Sequence, residues 1–287
     1  MEICNIEEHL ACYCYDSMEK PLIEVIKYNN MDVSVLSLSC CEIVFVLKGK
    51  ISVFHKNNMS VDIGNGHIVL LTANNTIQYK ALSKSMLLIF RMNEDIQLCH
   101  TYSLDRLNKM IKTTKKPDIY ATLQINSYLS NFANALLNTW EDGLKCRYYF
   151  QAKISELLIM LRAYYPEELL FHFFYYYFTP EAKFAEFIHT NHRKYTSVNE
   201  LANAMKMTPQ QFSRRFYSVF GEAPYGWMQR EKANLIYGDI CRSNKPFKEI
   251  ADEYGFNIQP NFNRFCKSAF GMNPGEIRKQ RFKQDNS

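Results

Sequence analysis

The feature that most constrains this chain of 287 residues is a short motif that occurs twice in its last third. The segment TPQQFSRRFYSVFG at 208–221 returns as QPNFNRFCKSAFG at 259–271, and each copy places a Phe two residues before an Arg and ends on Phe-Gly. The similarity extends upstream, where VNELANAM at 198–205 aligns with FKEIADEY at 247–254. We expect a chain that builds one helical unit twice to use both copies for the same purpose.

Each copy has the pattern of two helices joined by a tight turn. A small alanine, Ala202 or Ala251, lies in the first helix and lets the two helices cross closely, so each copy is predicted to be a helix-turn-helix unit. Gly255 can adopt a positive φ in the turn of copy two (residues 247–271). Lys206 holds that place in copy one (residues 198–221), which predicts either a local conformational cost or a different turn shape. A predicted capping box and a helix-starting proline open the second helix of copy one: Thr208, Pro209 and Gln211.

These segments resemble the DNA-binding domain of the AraC/XylS transcription regulators over about residues 181–281. The resemblance implies two helix-turn-helix units, 198–218 and 247–268, and a sequence-specific regulator of transcription that binds double-stranded promoter DNA, with RNA polymerase as a further partner. We expect one connecting helix over 224–240, about 24 Å long at 1.5 Å per residue. Such a helix could separate the units by about one DNA turn, ~34 Å.

The second helix of each unit is expected to lie in the major groove with its outward residues at the base edges. Phe212, Phe216 and Phe262 are predicted to face the core. The predicted base contacts combine the family's positions in copy one with the outward face in copy two: Gln210, Ser213, Arg214, Gln259, Asn261, Asn263 and Arg264. Arg suits guanine and Gln suits adenine. The predicted phosphate contacts are Arg215, Lys248, Lys267 and Arg278.

The charge distribution agrees with a polyanionic partner for the last third of the chain. Residues 181–287 contain 17 Lys and Arg against 11 Asp and Glu, whereas residues 1–180 contain 17 against 18. The excess positive charge is therefore confined to the segment that carries the repeat.

The first third of the chain reads as short strands separated by turn residues. EIVFVL at 42–47 and KISVFH at 50–55 flank Lys48-Gly49, which predicts a hairpin, and the later runs include HIVLLT and SMLLIFRM. We therefore predict an α+β chain: a cupin-like β-barrel or sandwich at 1–115, a helical dimerisation or linker region at 116–179, and the all-α DNA-binding domain at 180–287. The mouth of such a barrel is a natural site for a small-molecule effector.

Two amphipathic helices follow the predicted barrel. The family resemblance implies a homodimer formed by these helices, and packing within one chain is the alternative. The dimerisation candidates recur at helical spacing: Ile125, Leu129, Phe132, Leu136, Trp140, Ile154, Leu157 and Leu161. The aromatic run at 164–178 is expected to pack between the two halves of the chain, with a ligand pocket as the alternative.

Neither a metal, a cofactor nor a catalytic centre is expected. The barrel region has His55 and His67, with His100 beyond it and no HxH pair. The nine cysteines include no CxxC pair, and adjacent cysteines in a strand point to opposite faces. The alternatives left open are a redox- or metal-responsive regulator, a cupin-type enzyme fused to a DNA-binding domain, and a protein-binding adaptor. The first of these would use the N-terminal cysteines: Cys12, Cys14, Cys40 and Cys41.

Targeting signals are not expected either. The start, MEICNIEEHL, is acidic and lacks the apolar core of a signal peptide. The most apolar run, LLFHFFYYYF at 169–178, is too short to span a bilayer. We expect no membrane partner and a bacterial cytoplasmic protein that is nucleoid-associated when bound to DNA.

Overall fold

The computed structural model describes residue 4 and residues 21–38, 40–54, 60–72, 76–92, 121–242 and 245–284. The chain divides into two compact units, Met1–Thr190 and Asn191–Ser287. The predicted α+β class is confirmed, since strands form the start of the first unit and helices follow them. The predicted boundary near residue 115 lies outside the described residues, so the three-part division stays a prediction.

The described strands of the first unit form two antiparallel sheets. In chain order they are β1 (Ile23–Tyr28), β2 (Val33–Ser37), β3 (Cys41–Lys48), β4 (Lys50–Phe54), β5 (Ser60–Gly64), β6 (His67–Leu71), β7 (Thr76–Ala81), β8 (Ser85–Met92) and β9 (Thr122–Gln124). One sheet has the order β1-β8-β3-β6-β9 and the other has the order β2-β7-β4-β5. Alternate residues of both sheets, such as Val44, Ile51 and Tyr79, are buried in a shared apolar core, so the side chains fill the space between the sheets.

The hairpin predicted at Lys48-Gly49 is wrong. Strands β3 and β4 belong to different sheets, and β4 pairs instead with β5, where Ile51 lies opposite Ile63, and with β7. Gly49 has a φ of +79°, and a Cβ there would meet the Lys84 carbonyl and Ser85. Its role is therefore to turn the chain from one sheet into the other where no side chain fits.

A buried ion-pair cluster joins three strands of the larger sheet. The Arg91 guanidinium on β8 donates from Nε to Glu42 on β3 at 2.9 Å and from its NH2 to Glu24 on β1 at 2.5 Å. A third bond runs to the Pro21 carbonyl at 2.7 Å. Because the guanidinium is almost fully buried, removing it would strand the Glu42 carboxylate in the protein interior.

Helices complete the first unit: α1 (Ser127–Glu141), α2 (Arg147–Tyr164), α3 (Glu167–Phe174), a 3-10 turn (Tyr175–Phe178) and α4 (Pro180–Asn191). Helix α1 begins at the Asn126 cap, whose side chain accepts from Leu129 N at 2.9 Å. Its apolar face covers the outer side of the larger sheet, where Phe132 and Phe90 have ring centroids 6.0 Å apart. In the aromatic run, α3 packs on β6 and β9, and four of its eight side chains are buried.

The dimerisation candidates divide into two groups by burial. The larger group is buried inside the first unit: Leu129, Phe132, Leu136, Leu157 and Leu161. Ile125, Trp140 and Ile154 are half-buried. The buried five therefore pack within one chain, which is the alternative that the sequence left open, and a dimer formed by α1 and α2 stays a prediction.

The described part of the second unit contains α5 (Val198–Ala204), α6 (Pro209–Phe220), α7 (Pro224–Arg242), α8 (Phe247–Glu253), α9 (Gln259–Phe270) and α10 (Pro274–Gln284). Helix α7 has 19 residues, two more than the sequence predicted, and is about 28 Å long. Its residues Ile236 and Ile240 share an apolar core with Ile250, Phe262 and Ile277. Both repeated units are thus built against one long helix.

Candidate nucleic-acid interface

In copy one, helices α5 and α6 cross at small and aromatic core residues. Leu201 and Ala202 of α5 are fully buried, as are Phe212 and Phe216 of α6, which lie one helical turn apart. The Phe216 ring stacks on Phe220 with centroids 4.2 Å apart. The inward positions predicted from the sequence are therefore the observed ones, and they leave the opposite face of α6 for solvent or a partner.

Copy two repeats this arrangement in α8 and α9. Ile250 and Ala251 are buried in α8, and Phe262 is buried in α9 together with Cys266. Burial raises the pKa of the Cys266 thiol to about 11, so this cysteine stays protonated and is a core residue rather than a reactive one.

The turns of the two copies have the same shape. The Lys206 N–H donates to Asn203 O at 2.9 Å and Met207 N–H to Ala202 O at 2.9 Å. In copy two the corresponding bonds run from Gly255 to Asp252 O at 3.0 Å and from Phe256 to Ala251 O at 2.9 Å. Lys206 has a φ of +54° and Gly255 a φ of +72°. Of the two expectations for Lys206, the different turn shape is therefore excluded, and the conformational cost of a side chain in the left-handed region applies.

The two recognition helices begin differently. Helix α6 has the predicted capping box, in which Gln211 N donates to Thr208 Oγ1 at 3.2 Å and Thr208 N donates to Gln211 Oε1 at 3.1 Å. Helix α9 begins after Ile258, which makes no side-chain cap and is 53% exposed. The start of α9 therefore has fewer of its backbone N–H groups satisfied by side chains than the start of α6.

The predicted base-contact residues differ in how far they lie from the buried phenylalanines, and Arg214 and Arg264, each two residues after one, are on the exposed side of the helix. In copy one, Gln210 and Arg214 are exposed and Ser213 is half-buried. In copy two, Asn261, Asn263 and Arg264 are exposed and Gln259 is half-buried. Each recognition helix thus carries hydrogen-bonding side chains at exposed positions, which base readout needs.

The polar residues on α9 are hydrogen-bonded to each other. The NH2 group of Arg264 donates to Asn261 Oδ1 at 3.0 Å. Gln259 Nε2 lies 3.4 Å from Asn263 Oδ1. Sequence reasoning identified all four residues but missed these pairs, whose only sequence signal is spacing by three and four residues.

The four predicted phosphate contacts are less alike than the sequence suggested. Lys248 and Lys267 are exposed, and Arg215 is half-buried. Arg278 instead joins three helices: its Nε donates to Ile240 O at 3.1 Å, its NH2 donates to Lys245 O at 2.8 Å, and its guanidinium lies 4.1 Å from the Phe247 ring centroid. Arg278 thus satisfies a carbonyl at the end of α7, a structural role that the sequence did not indicate.

A second cation whose structural role the sequence did not indicate is Lys232 on α7. Its ammonium lies 4.3 Å from the centroid of the Phe256 ring, in the turn of copy two, and burial lowers its pKa. The cation–π contact joins α7 to that turn, so Lys232 stabilises the fold of copy two.

Comparisons with known proteins agree with this architecture. A helix-turn-helix domain model matches residues 201–280. The transcriptional regulator LumQ of Photobacterium leiognathi is 28% identical over 88 residues, and an AraC-like transcription regulator of Streptomyces antibioticus is 27% identical over 93 residues. Residues 201–280 form an AraC-type helix-turn-helix domain. The matches cover 31% and 32% of this chain and 36% and 31% of these relatives, so the chain spans about a third of their length.

The fold that contains this AraC-type domain also has a solved counterpart. The structure of ToxT from Vibrio cholerae O395, bound to (E)-4-(8-methylnaphthalen-1-yl)but-3-enoic acid, has a TM-score of 0.52 and covers 89% of this chain and 97% of its own. At 14% identity this likeness concerns the fold alone, namely a β domain combined with a helical helix-turn-helix domain.

Of the residues considered for metal or redox chemistry, the structure describes Cys40, Cys41 and His67. No group of three or more His, Cys, Asp and Glu within the described ranges could hold a metal ion. Cys12, Cys14, His55 and His100 lie outside those ranges. His67 Nδ1 lies 3.1 Å from the Asn65 carbonyl oxygen, and Cys41 is buried in β3. No helix within the described part of the chain is long and apolar enough to cross a membrane.

Proposed function

We propose that this protein is a sequence-specific DNA-binding transcription regulator that reads two adjacent major-groove segments with helices α6 and α9. The observation that carries the proposal is the repetition of one unit with matched turn hydrogen bonds and matched buried phenylalanines. The AraC-type domain at 201–280 and the regulators that share it support the same conclusion.

The chemistry of the two outward faces fits DNA. Arg214 and Arg264 are exposed at aligned positions and can each pair bidentately with a guanine. The same two helices carry the other proposed base contacts: Gln210, Ser213, Gln259, Asn261 and Asn263. Lys248, Lys267 and Arg215 supply charge for phosphates. We do not assign Arg278 mainly to phosphate contact, because two of its nitrogens are bonded to backbone carbonyls.

The long helix α7 supports reading by both units on one duplex. Its length of about 28 Å is comparable to one turn of B-DNA, ~34 Å. Two recognition helices joined at this spacing can enter successive major-groove segments on one face of the DNA. The expected site is therefore two short sequence elements with a fixed separation of about one helical turn, roughly 10 base pairs.

The first unit is proposed to control this activity through a small molecule. The core between the sheets is filled by side chains, but a cleft of about 540 Å³ lies between β1 and the end of α1. Its lining includes Val25, Lys27, Leu137, Trp140 and Lys145. This volume is within the range of small-ligand sites. Quenching of Trp140 fluorescence in a Trp227→Phe variant, which leaves Trp140 as the only tryptophan, would report an effector in this cleft.

Other parts of the proposal concern the setting in which the protein works. We propose that it acts in the bacterial cytoplasm on promoter DNA, is nucleoid-associated when bound, contacts RNA polymerase there, and forms a homodimer through its first unit. We assign it no enzymatic activity, cofactor or metal. The relatives that share its AraC-type domain are regulators.

The function is tested by selecting binding sites for the full chain from a library of random duplexes. We expect one enriched sequence with two elements and an affinity that falls steeply with salt concentration. The Arg214→Ala, Arg264→Ala double variant, whose substitutions are both at exposed positions, serves as the control and should enrich nothing. Recovery of no preferred sequence by the folded wild-type chain would contradict the proposal.

A further inference from the structure

One pair of aligned residues is used differently in the two recognition helices. Gln211 of copy one and Asn261 of copy two occupy the same position, three residues before the exposed arginine of each helix. The Gln211 side chain accepts a hydrogen bond from Thr208 N at 3.1 Å, so it is committed to the start of α6. The Asn261 side chain accepts a hydrogen bond from the Arg264 guanidinium at 3.0 Å.

We propose that Asn261 is a positioning residue that presets the Arg264 guanidinium for base reading, and that copy two is therefore the more stringent of the two reading helices. This proposal rests on the proposed function and adds to it a division of labour between α6 and α9. It changes the expected role of Asn261, which the sequence alone assigned to direct base contact.

The geometry around Arg264 favours this role. Residues three apart on a helix lie on the same face, so Asn261 and Arg264 project together from the exposed side of α9. A hydrogen bond from a charged guanidinium is stronger than one between neutral groups. It uses one of the five N–H donors of the arginine, and the others stay available for the O6 and N7 atoms of guanine.

Restraint of a long side chain before binding reduces the conformational entropy that binding must remove. The restraint also narrows the set of positions from which the guanidinium can meet a base, so a wrong base is discriminated against more strongly. In copy one, no hydrogen bond or ion pair within the described part of the chain restrains the exposed Arg214 side chain. Arg214 can therefore adapt to more than one base or to a phosphate.

The neighbouring pair on α9 extends the same arrangement. Gln259 Nε2 lies 3.4 Å from Asn263 Oδ1, on the turn that also carries Asn261. The polar surface of α9 is thus ordered by contacts among its own side chains, whereas the aligned position in α6 is used for capping. At this position copy one therefore has a capping hydrogen bond, whereas copy two has a hydrogen bond that restrains the side chain of Arg264.

The test is a double-mutant cycle in the full chain, measured on the duplex obtained from random-library selection and on its single-base variants. We expect Asn261→Ala to reduce the preference for the base pair read by Arg264 by roughly 3–10-fold, the size of one hydrogen bond's contribution. In an Arg264→Ala background the same substitution should change nothing further. Thermal unfolding of Asn261→Ala should match the wild type, because both side chains are exposed.

Two further variants separate positioning from other roles. Asn261→Asp keeps the acceptor oxygen, so it should retain the base preference while weakening binding to all sequences through repulsion of the phosphates. Gln211→Ala is the matched control in copy one, and it should lower stability without changing the base preference assigned to Arg214.

If the effects of Asn261→Ala and Arg264→Ala on the binding free energy simply add, the positioning role is overturned. A changed preference at a base pair that Arg264 does not read would overturn it as well. Either result leaves the DNA-binding function intact. A selection that enriches no sequence would overturn the proposed function and this proposal together.

Discussion

Copy one and copy two are the same structural unit stabilised in different ways. Copy one buries Phe212 and Phe216, and copy two buries Phe262 and Cys266 at the aligned positions. Both copies make the same two turn hydrogen bonds. Copy one strengthens the start of its recognition helix with a capping box but places Lys206 in a left-handed turn. Copy two uses Gly255 in that turn and leaves its recognition helix without a side-chain cap. The core and turn geometry are thus shared requirements of the unit, whereas caps and surface contacts are free to differ.

The largest effects are expected in the shared core. Phe212→Ala and Phe262→Ala should each lower the free energy of unfolding by about 3–5 kcal/mol, because both rings are fully buried. Denaturant unfolding of the second unit can be followed by the fluorescence of Trp227 in a Trp140→Phe background. A loss below about 1 kcal/mol in either copy would show that the two cores are not equivalent.

The comparison on DNA concerns the aligned arginines. Arg264→Ala should weaken binding to the selected sequence by about 1–3 kcal/mol and relax one base position. Arg214→Ala should have a smaller effect on base preference, because no residue that the structure describes forms a hydrogen bond or ion pair with its side chain. Fluorescence anisotropy with single-base variants of the duplex measures both. Lys267→Ala is the matched control, since loss of a phosphate contact should weaken binding to all sequences alike.

The turn residues should respond in opposite directions. Lys206→Gly should stabilise copy one by about 1 kcal/mol, since glycine adopts positive φ without the penalty of a side chain. Gly255→Ala should destabilise copy two by a similar amount, and its Cβ would meet open space, so strain in the backbone is the expected cause. The denaturation midpoints of the two variants measure these changes in stability. A shift of both midpoints in the same direction would contradict the equivalence of the turns.

The helix starts give the smallest expected differences. Thr208→Ala should remove the capping box of α6 and lower the free energy of unfolding by about 1 kcal/mol. Ile258→Thr should supply α9 with a cap that it lacks and raise stability by up to about 1 kcal/mol. Equal midpoints for Ile258→Thr and the wild type would mean that α9 does not need a side-chain cap in this unit.

Much of the second unit could be predicted from the sequence because its signals are local. The spacing of Phe212 and Phe216, the capping residues at Thr208 and Gln211, and Gly255 in the turn each act within a few residues of the chain. Local periodicity therefore predicted the recognition helices and the buried positions of Phe212, Phe216 and Phe262. The conformational cost at Lys206 was also anticipated, although the sequence alone did not exclude a different turn.

The features that the sequence did not predict depend on contacts between residues that are far apart in the chain. A glycine after Lys48 indicates a turn, but only the pairing of β4 with β5 and β7 shows that the turn joins two sheets. A basic residue near the end of the chain suggests phosphate contact, yet Arg278 is bonded to the carbonyls of Ile240 and Lys245. Apolar spacing in α1 and α2 likewise did not distinguish packing within one chain from packing between two.

The most direct test of the account is a binding measurement on duplexes in which one of the two selected sequence elements is scrambled at a time. Reading by both helices predicts that Arg264→Ala loses affinity only on duplexes that keep the element read by α9, and that Arg214→Ala loses affinity only on duplexes that keep the other element. If scrambling one element has no effect on the wild type, or if both alanine variants respond to the same element, the two copies do not read DNA together.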